Sequence, residues 1–174
     1  AGSERLRRRI AKPITDNQLL QAADLAGRLG MRQIKLYFMV GLPGETQTDV
    51  EAIASLSARI AAHSGARVVA GVSPFVPKAQ TPFQRQPMLE SRELGQRVAW
   101  VQKALARQGI QARSESIPWS EVQAILARGD RRLGPILLAL SEQRNTLASW
   151  RKAWAPSGLD VPTLLQGINE GMLP

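Results

Sequence analysis

The run Ile34-Lys35-Leu36-Tyr37-Phe38-Met39-Val40 passes straight into Gly41-Leu42-Pro43-Gly44-Glu45-Thr46, and no other stretch restricts the fold as much. A near-continuous apolar run of this length, closed by Gly and Pro, reads as a buried parallel strand with helices over both of its faces. Thr46 then caps a helix in which Val50, Ile53, Leu56 and Ile60 recur at i, i+3, i+6 and i+10, one face packed on a sheet. A second strand over 66–72 follows and runs into Ser73-Pro74-Phe75-Val76-Pro77-Lys78. Helix, strand, helix and strand with short joints mark parallel βα units, whose ligands collect at the carboxyl ends of the strands. The residues after Val40 are therefore expected to form site, and those before it scaffold.

Punctuation residues place the remaining elements. Ser3 is expected to cap a short first helix, and Thr15 with Gln18 has the spacing of a capping box for a second, which Gly30 ends. Leu94, Val98, Val101 and Leu105 mark one face of a long helix stopped by Gly109. The segment 110–117 reads as a short strand, followed by helices over 119–127 and 130–141 and helical pieces around Trp150 and Leu164. About two parallel strands cannot cover their own faces and edges, so the C-terminal helices or another chain must close the sheet. The chain has no initiator Met and enters a helix almost at once, which points to a piece of a longer protein.

Composition removes several classes of function. At 174 residues and 44% hydrophobic content the chain supports one well-formed core. Cysteine is absent and His63 stands alone, so neither a disulfide, a thiolate metal site nor a zinc site can be built from this chain. No apolar run reaches the roughly 20 residues that span a bilayer and no signal peptide is visible, so a cytoplasmic source and no membrane partner are expected. The net charge of +9 would attract polyanions. Aromatic content is only 5%, and Trp100, Trp119, Trp150 and Trp154 fall at apolar helical positions rather than among the basic residues, as a stacking platform would require.

The motifs, taken singly, have plain readings. Gly41-Leu42-Pro43-Gly44-Glu45 lacks the Gly-Lys-Ser/Thr of a P-loop and the spaced glycines of a dinucleotide fold, and by itself is a tight turn. Lys12 at a helix end suits the negative end of the helix dipole. Arg7-Arg8-Arg9 reads as a solvated helix face unless it shares a surface with Arg128, Arg131 and Arg132. Arg128-Gly129-Asp130 is a helix end, a Gly stop and an Asp cap. Trp150 and Trp154 are a hydrophobic pair at i and i+4, and His63 is a surface residue.

Read together, Ala1-Gly2-Ser3-Glu4-Arg5-Leu6-Arg7, Lys12, the segment 37–46 and Val72-Ser73-Pro74-Phe75-Val76-Pro77-Lys78 resemble the C-terminal half of the radical S-adenosylmethionine (SAM) barrel. Trp119-Ser120-Glu121-Val122 and Ala127-Arg128-Gly129-Asp130-Arg131-Arg132-Leu133-Gly134 resemble a branch of uncharacterised radical SAM proteins with a cobalamin-binding-like N-terminal domain. The resemblance implies the C-terminal portion of a partial (βα)6 TIM-like barrel over 1–86, with a mainly helical extension packed on it over 87–174. It implies a parent enzyme in which three cysteines hold a 4Fe–4S cluster that cleaves SAM to a 5′-deoxyadenosyl radical, with cobalamin a further candidate cofactor. None of those cysteines is present, so this chain alone is expected to be noncatalytic and to hold no cofactor stably.

Site residues follow from the resemblance. Ser3 would lie near the SAM ribose and amino-acid moiety, and Lys12 would meet its carboxylate. Met39 and Gly41 after the first strand, with Phe75 and Val76 after the second, would border the adenine. The partner implied is the missing N-terminal half of the barrel, with self-association through exposed strand edges as a further expectation. The alternative is a noncatalytic basic α/β module that binds RNA or a partner protein, drawing on the Arg clusters.

Overall fold

The structure, a computed structural model, describes residues 1–167; the end of the helical extension expected to reach residue 174 lies outside them. Two compact units emerge, Ala1–Pro74 with Arg92–Glu115, and Phe75–Ser91 with Ser116–Pro174. The sequence pattern draws its boundary at 86/87, whereas the packing groups the long helix and the strand after it with the first unit.

The first unit opens with α1 (Glu4–Arg9) and α2 (Asp16–Arg28). Ser3 accepts the Leu6 N–H at 3.2 Å as the cap of α1. Thr15 and Gln18 form the expected capping box on α2, each accepting the other's backbone N–H, at 3.2 and 2.9 Å. Strand β1 (Gln33–Val40), helix α3 (Gln47–Ser64) and strand β2 (Arg67–Pro74) follow, then α4 (Ser91–Ala106) and β3 (Gln111–Ser114). The protein is thus mixed α/β, with a parallel sheet in the order β1-β2-β3. It has three strands where the barrel resemblance implies about two. The third is the short segment 110–117, of which Gln111–Ser114 pairs with Val69–Val72.

Register assigns every strand residue to one of two faces. Val40 and Val72 are fully buried, Phe38 and Val68 nearly so, and Ala70 beside them is sealed. Against this side lie the predicted face of α3, with Val50, Ile53, Leu56 and Ile60 all buried, and contacts from α3 to both β1 and β2. Leu94, Val98, Val101 and Leu105 of α4 are buried as their spacing predicts, and Gln102 of α4 donates to the Ser114 hydroxyl at 3.1 Å. Sequentially ordered parallel strands joined by right-handed crossovers put α3 and α4 on the same side.

The other face is bare. Gln33, Lys35 and Tyr37 of β1 are exposed, Tyr37 to 78%. This corrects the expectation that helices cover both faces of β1. Its odd-numbered positions carry Gln33, Lys35 and Tyr37, which break the apolar run on one face only, while Ile34, Leu36, Phe38 and Val40 keep the other apolar.

Helices α2 and α3 pack closely at Gly27. A Cβ there would stand 2.5 Å from the carbonyl oxygen of Ser64, closer than atoms can approach.

The second unit is helical: α5 (Ile117–Arg128), α6 (Leu133–Ser141), α7 (Leu147–Trp154) and α8 (Val161–Gln166). Val122, Ile125, Leu133, Ile136, Leu140 and Trp150 make its core. Trp150 and Trp154 stack tilted at 5.7 Å between centroids, as their spacing predicts, and the indole N–H of Trp150 donates to Asn145 at 2.8 Å.

Candidate functional site

The loop after β1 is fixed from within. Gly41 takes φ 90°, a conformation open to glycine, and its N–H donates to the Glu45 carboxylate at 2.8 Å. Glu45 is buried, and Arg97 of α4 reaches it at 2.8 Å while also donating to Glu93 at 2.6 Å. Burial raises the Glu45 pKa, with the Gly41 and Arg97 hydrogen bonds offsetting part of that rise. The turn at the carboxyl end of β1 is therefore tied to the last crossover helix of the unit by an ion pair between a buried carboxylate and a half-buried guanidinium.

Asp49, in the first turn of α3, gathers the second group of bonds. Ser3 Oγ donates to it at 2.5 Å, Arg5 forms an ion pair with it, and the Thr46 N–H and hydroxyl donate at 2.8 and 2.7 Å. Burial by itself would raise its pKa, but the bonds from Arg5, Ser3 and Thr46 outweigh burial and hold it well below the usual carboxylate range. Ser3 is thus both the cap of α1 and its tether to α3.

The basic cluster 7–9 is not a uniform solvated face. Arg7 is buried and fully engaged, donating to the carbonyls of Ile14 and Gly2 at 2.7 Å each and pairing with Asp16. Asp16 also accepts from Arg59 at 2.7 Å, and these bonds overcome the effect of its burial and lower its pKa. Arg8 pairs with Glu4. Arg128 ends α5 ahead of Gly129, as its motif predicts, and it too is buried. Its side chain is sealed inside the second unit, with Nη1 donating to the Gln86 carbonyl at 2.9 Å and Nε and Nη2 without a partner among the described residues. Burial lowers its pKa. His63 is on the surface as expected, 3.0 Å from Asp24.

Of the sequence-predicted site residues, Lys12 and Met39 line one cavity of about 440 Å3, which Arg7, Lys35, Tyr37 and Ser73 also border. Ala11, before Lys12, takes φ 56°, and the Lys12 N–H closes onto the Arg7 carbonyl at 2.9 Å, so the turn after α1 aims an exposed lysine at the side of β1. Gly41 sits just past Met39 with its N–H committed to Glu45. Ser3 lies apart from this cavity's lining. Phe75 and Val76 open the second unit directly after β2, Phe75 buried and packed edge-on against Phe83 at 5.8 Å. The cavity combines two exposed ammonium groups, those of Lys12 and Lys35, with apolar walls, a chemistry that suits a carboxylate attached to an apolar or flat body.

Sequence reasoning missed the Glu45–Arg97 pair and the whole bare face. The face had a signal, the alternation Gln33, Lys35, Tyr37 within an apolar strand; the pair had none, since 52 residues separate its members. Among the described residues no group of three or more His, Cys, Asp or Glu side chains is placed to hold a metal ion, and no helix is long and apolar enough to cross a membrane.

No protein family matches the chain, and no solved structure does. An uncharacterised protein of Methanocaldococcus jannaschii is 38% identical to it over 138 residues, 79% of this chain. The match spans 30% of that relative's length.

Proposed function

We propose that this chain is the C-terminal part of a radical SAM barrel, with β1 and β2 as the fifth and sixth strands of a partial (βα)6 TIM-like barrel and β3 an added strand beyond the sixth. The observation that carries the reading is the one-sided sheet: parallel strands in sequential order, crossover helices on one face, and the opposite face bare. A doubly wound fold reverses its strand order and covers both faces, whereas an arc of a barrel keeps its order and turns one face to the lumen. In this reading the helical unit is the extension beyond the barrel.

Lys12 and Met39 then serve SAM, the ammonium meeting its carboxylate and the thioether packing on adenine. The resemblance also assigns Ser3, Gly41, Phe75 and Val76 to SAM, but Ser3 lies apart from the cavity that Lys12 and Met39 line and is engaged by Asp49. The 4Fe–4S cluster supplies reductive cleavage of SAM in the parent, and with no cysteine in this chain its ligands belong to the remaining polypeptide. Cobalamin, if the parent uses it, belongs there too. The test is formation of 5′-deoxyadenosine from SAM by the full-length protein after anaerobic cluster reconstitution. Turnover, with weaker SAM binding in Lys12→Met, is expected; a reconstituted protein that leaves SAM intact overturns the reading.

A further inference from the structure

The bare face of the sheet holds a cleft of about 390 Å3, within the size range of small-molecule sites. Lys35, Arg67 and Arg113 line it, one from each strand, and among the described residues no carboxylate does. The register sets Lys35 opposite Val69 and Arg113 opposite Gly71, so Lys35 and Arg113 lie about 8 and about 14 Å from Arg67 between Cα atoms on a flat sheet. Arg67 is steadied by a 3.0 Å bond to Gln111, a neutral partner that leaves its charge uncompensated. This contrasts with Arg5, Arg7, Arg8, Arg97 and Arg132, each of which holds a carboxylate.

Tyr37 stands two residues beyond Lys35 on β1, level with Arg113 across the sheet. Its ring rests over Gly71, where a Cβ would stand 3.0 and 3.3 Å from Cδ1 and Cε1, and the residue is 78% exposed. Glycine at that point lets the ring lie down along the sheet and present its outer π-face to the cleft. A second copy of the chain is a poor occupant, because two such faces would oppose cation to cation.

We propose that this cleft binds a small aromatic polyanion, a flat ring stacked on Tyr37 with phosphate or carboxylate groups held by Lys35, Arg67 and Arg113, and that this is the substrate class of the parent enzyme. The term substrate rests on the barrel reading above, in which this face lines the lumen; the ligand chemistry rests on the cleft alone. Cations spaced over several ångströms suit two or more anionic groups on one molecule, and guanidinium groups grip phosphate and carboxylate alike.

The cleft is open in this chain, so binding is measured on it directly by calorimetry at low salt. The probes are ATP, benzene-1,3,5-tricarboxylate, pyrophosphate and adenosine. At least one of the two ring-bearing anions is expected to bind, which of them telling phosphate from carboxylate, and adenosine to bind at least about tenfold more weakly. Tyr37→Ala should weaken the ring-bearing anion about fivefold or more and leave pyrophosphate within about twofold. Lys35→Gln and Arg113→Gln should weaken every anion by about threefold or more.

No anion binding, adenosine binding equal to ATP, or affinities indifferent to these substitutions would overturn the proposal. Single-stranded RNA that binds more tightly than ATP, with a salt dependence requiring many more than three contacts, would replace the small ligand by a nucleic-acid surface and overturn it as well. The two readings fail separately. SAM cleavage by the parent with no anion binding here removes the substrate class alone, and anion binding without SAM cleavage removes the barrel while the site stands.

Discussion

The two faces of the sheet are built from the same three strands, one residue out of phase, yet they obey different rules. On the helix side Val40, Ala70 and Val72 have no exposed surface. On the bare side the matching positions are Lys35, Tyr37, Arg67 and Arg113, none of which contributes to the unit's core. The difference teaches that stability and recognition have been separated by parity along each strand. Substitution on one face should be read in folding free energy, and on the other in ligand affinity.

The largest effect that would sharpen this contrast is Ile53→Ala. It removes a side chain sealed against the helix side of the sheet, and should cost about 2–5 kcal/mol in urea unfolding. Arg97→Ala comes next. It strands the buried Glu45 carboxylate and should cost about 3 kcal/mol at neutral pH.

The sign of its pH dependence follows from Glu45. Burial already raises that pKa in the folded state, so its unfavourable contribution is absent below the unfolded value and grows as pH rises through the folded one. Loss of Arg97 removes a bond that lowers the pKa, so the variant's deficit should shrink as Glu45 protonates in mild acid. An equal deficit at pH 7 and pH 5 would show that Arg97 acts by packing instead. Asp16 and Asp49 behave oppositely: their folded pKa values are depressed, and the stability they contribute is lost as pH falls below the ordinary carboxylate range.

Gly27→Ala should cost about 1–3 kcal/mol through the clash with the Ser64 carbonyl, despite the gain in helix propensity. Tyr37→Ala on the bare face should change unfolding by no more than about 0.5 kcal/mol, and a loss comparable to that of Ile53→Ala would break the division between the faces. Smallest of all is Arg8→Ala, which removes an exposed i,i+4 pair with Glu4 and should be worth about 0.3–0.5 kcal/mol in the same titration.

Much of the local architecture of both units was legible because it is written in short-range patterns. The Thr15–Gln18 box, the Val50 to Ile60 stripe, the Leu94 to Leu105 stripe and the Trp150–Trp154 pair all depend on residues within a few turns of one another. The bare face was misread because Leu36 and Phe38 dominate a window in which Lys35 and Tyr37 are the informative residues. The third strand is only Gln111–Ser114, and its polar exposed positions gave weak strand character until Val69–Val72 supplied a partner. Arg128 shows the remaining limit. Its motif marks it as a helix end, and only packing reveals a sealed guanidinium with one carbonyl partner. Lys12 and Met39 were named together from a resemblance, and they share a cavity; Ser3 and Gly41 turned out to be engaged by Asp49 and Glu45.

The bond from Ser3 to Asp49 joins residues 46 positions apart in a chain whose first helix is only six residues long. A helix that short has no cooperative life of its own, so α1 is ordered only while docked on the start of α3. Its docking must wait until β1 has been laid down and α3 has begun, which makes it a late loop-closing event in folding and an early one to reverse. The amides at the end of α1 should therefore exchange with solvent through a local opening that leaves the sheet intact, and Leu6, buried when the latch is shut, would be the first core residue to meet water.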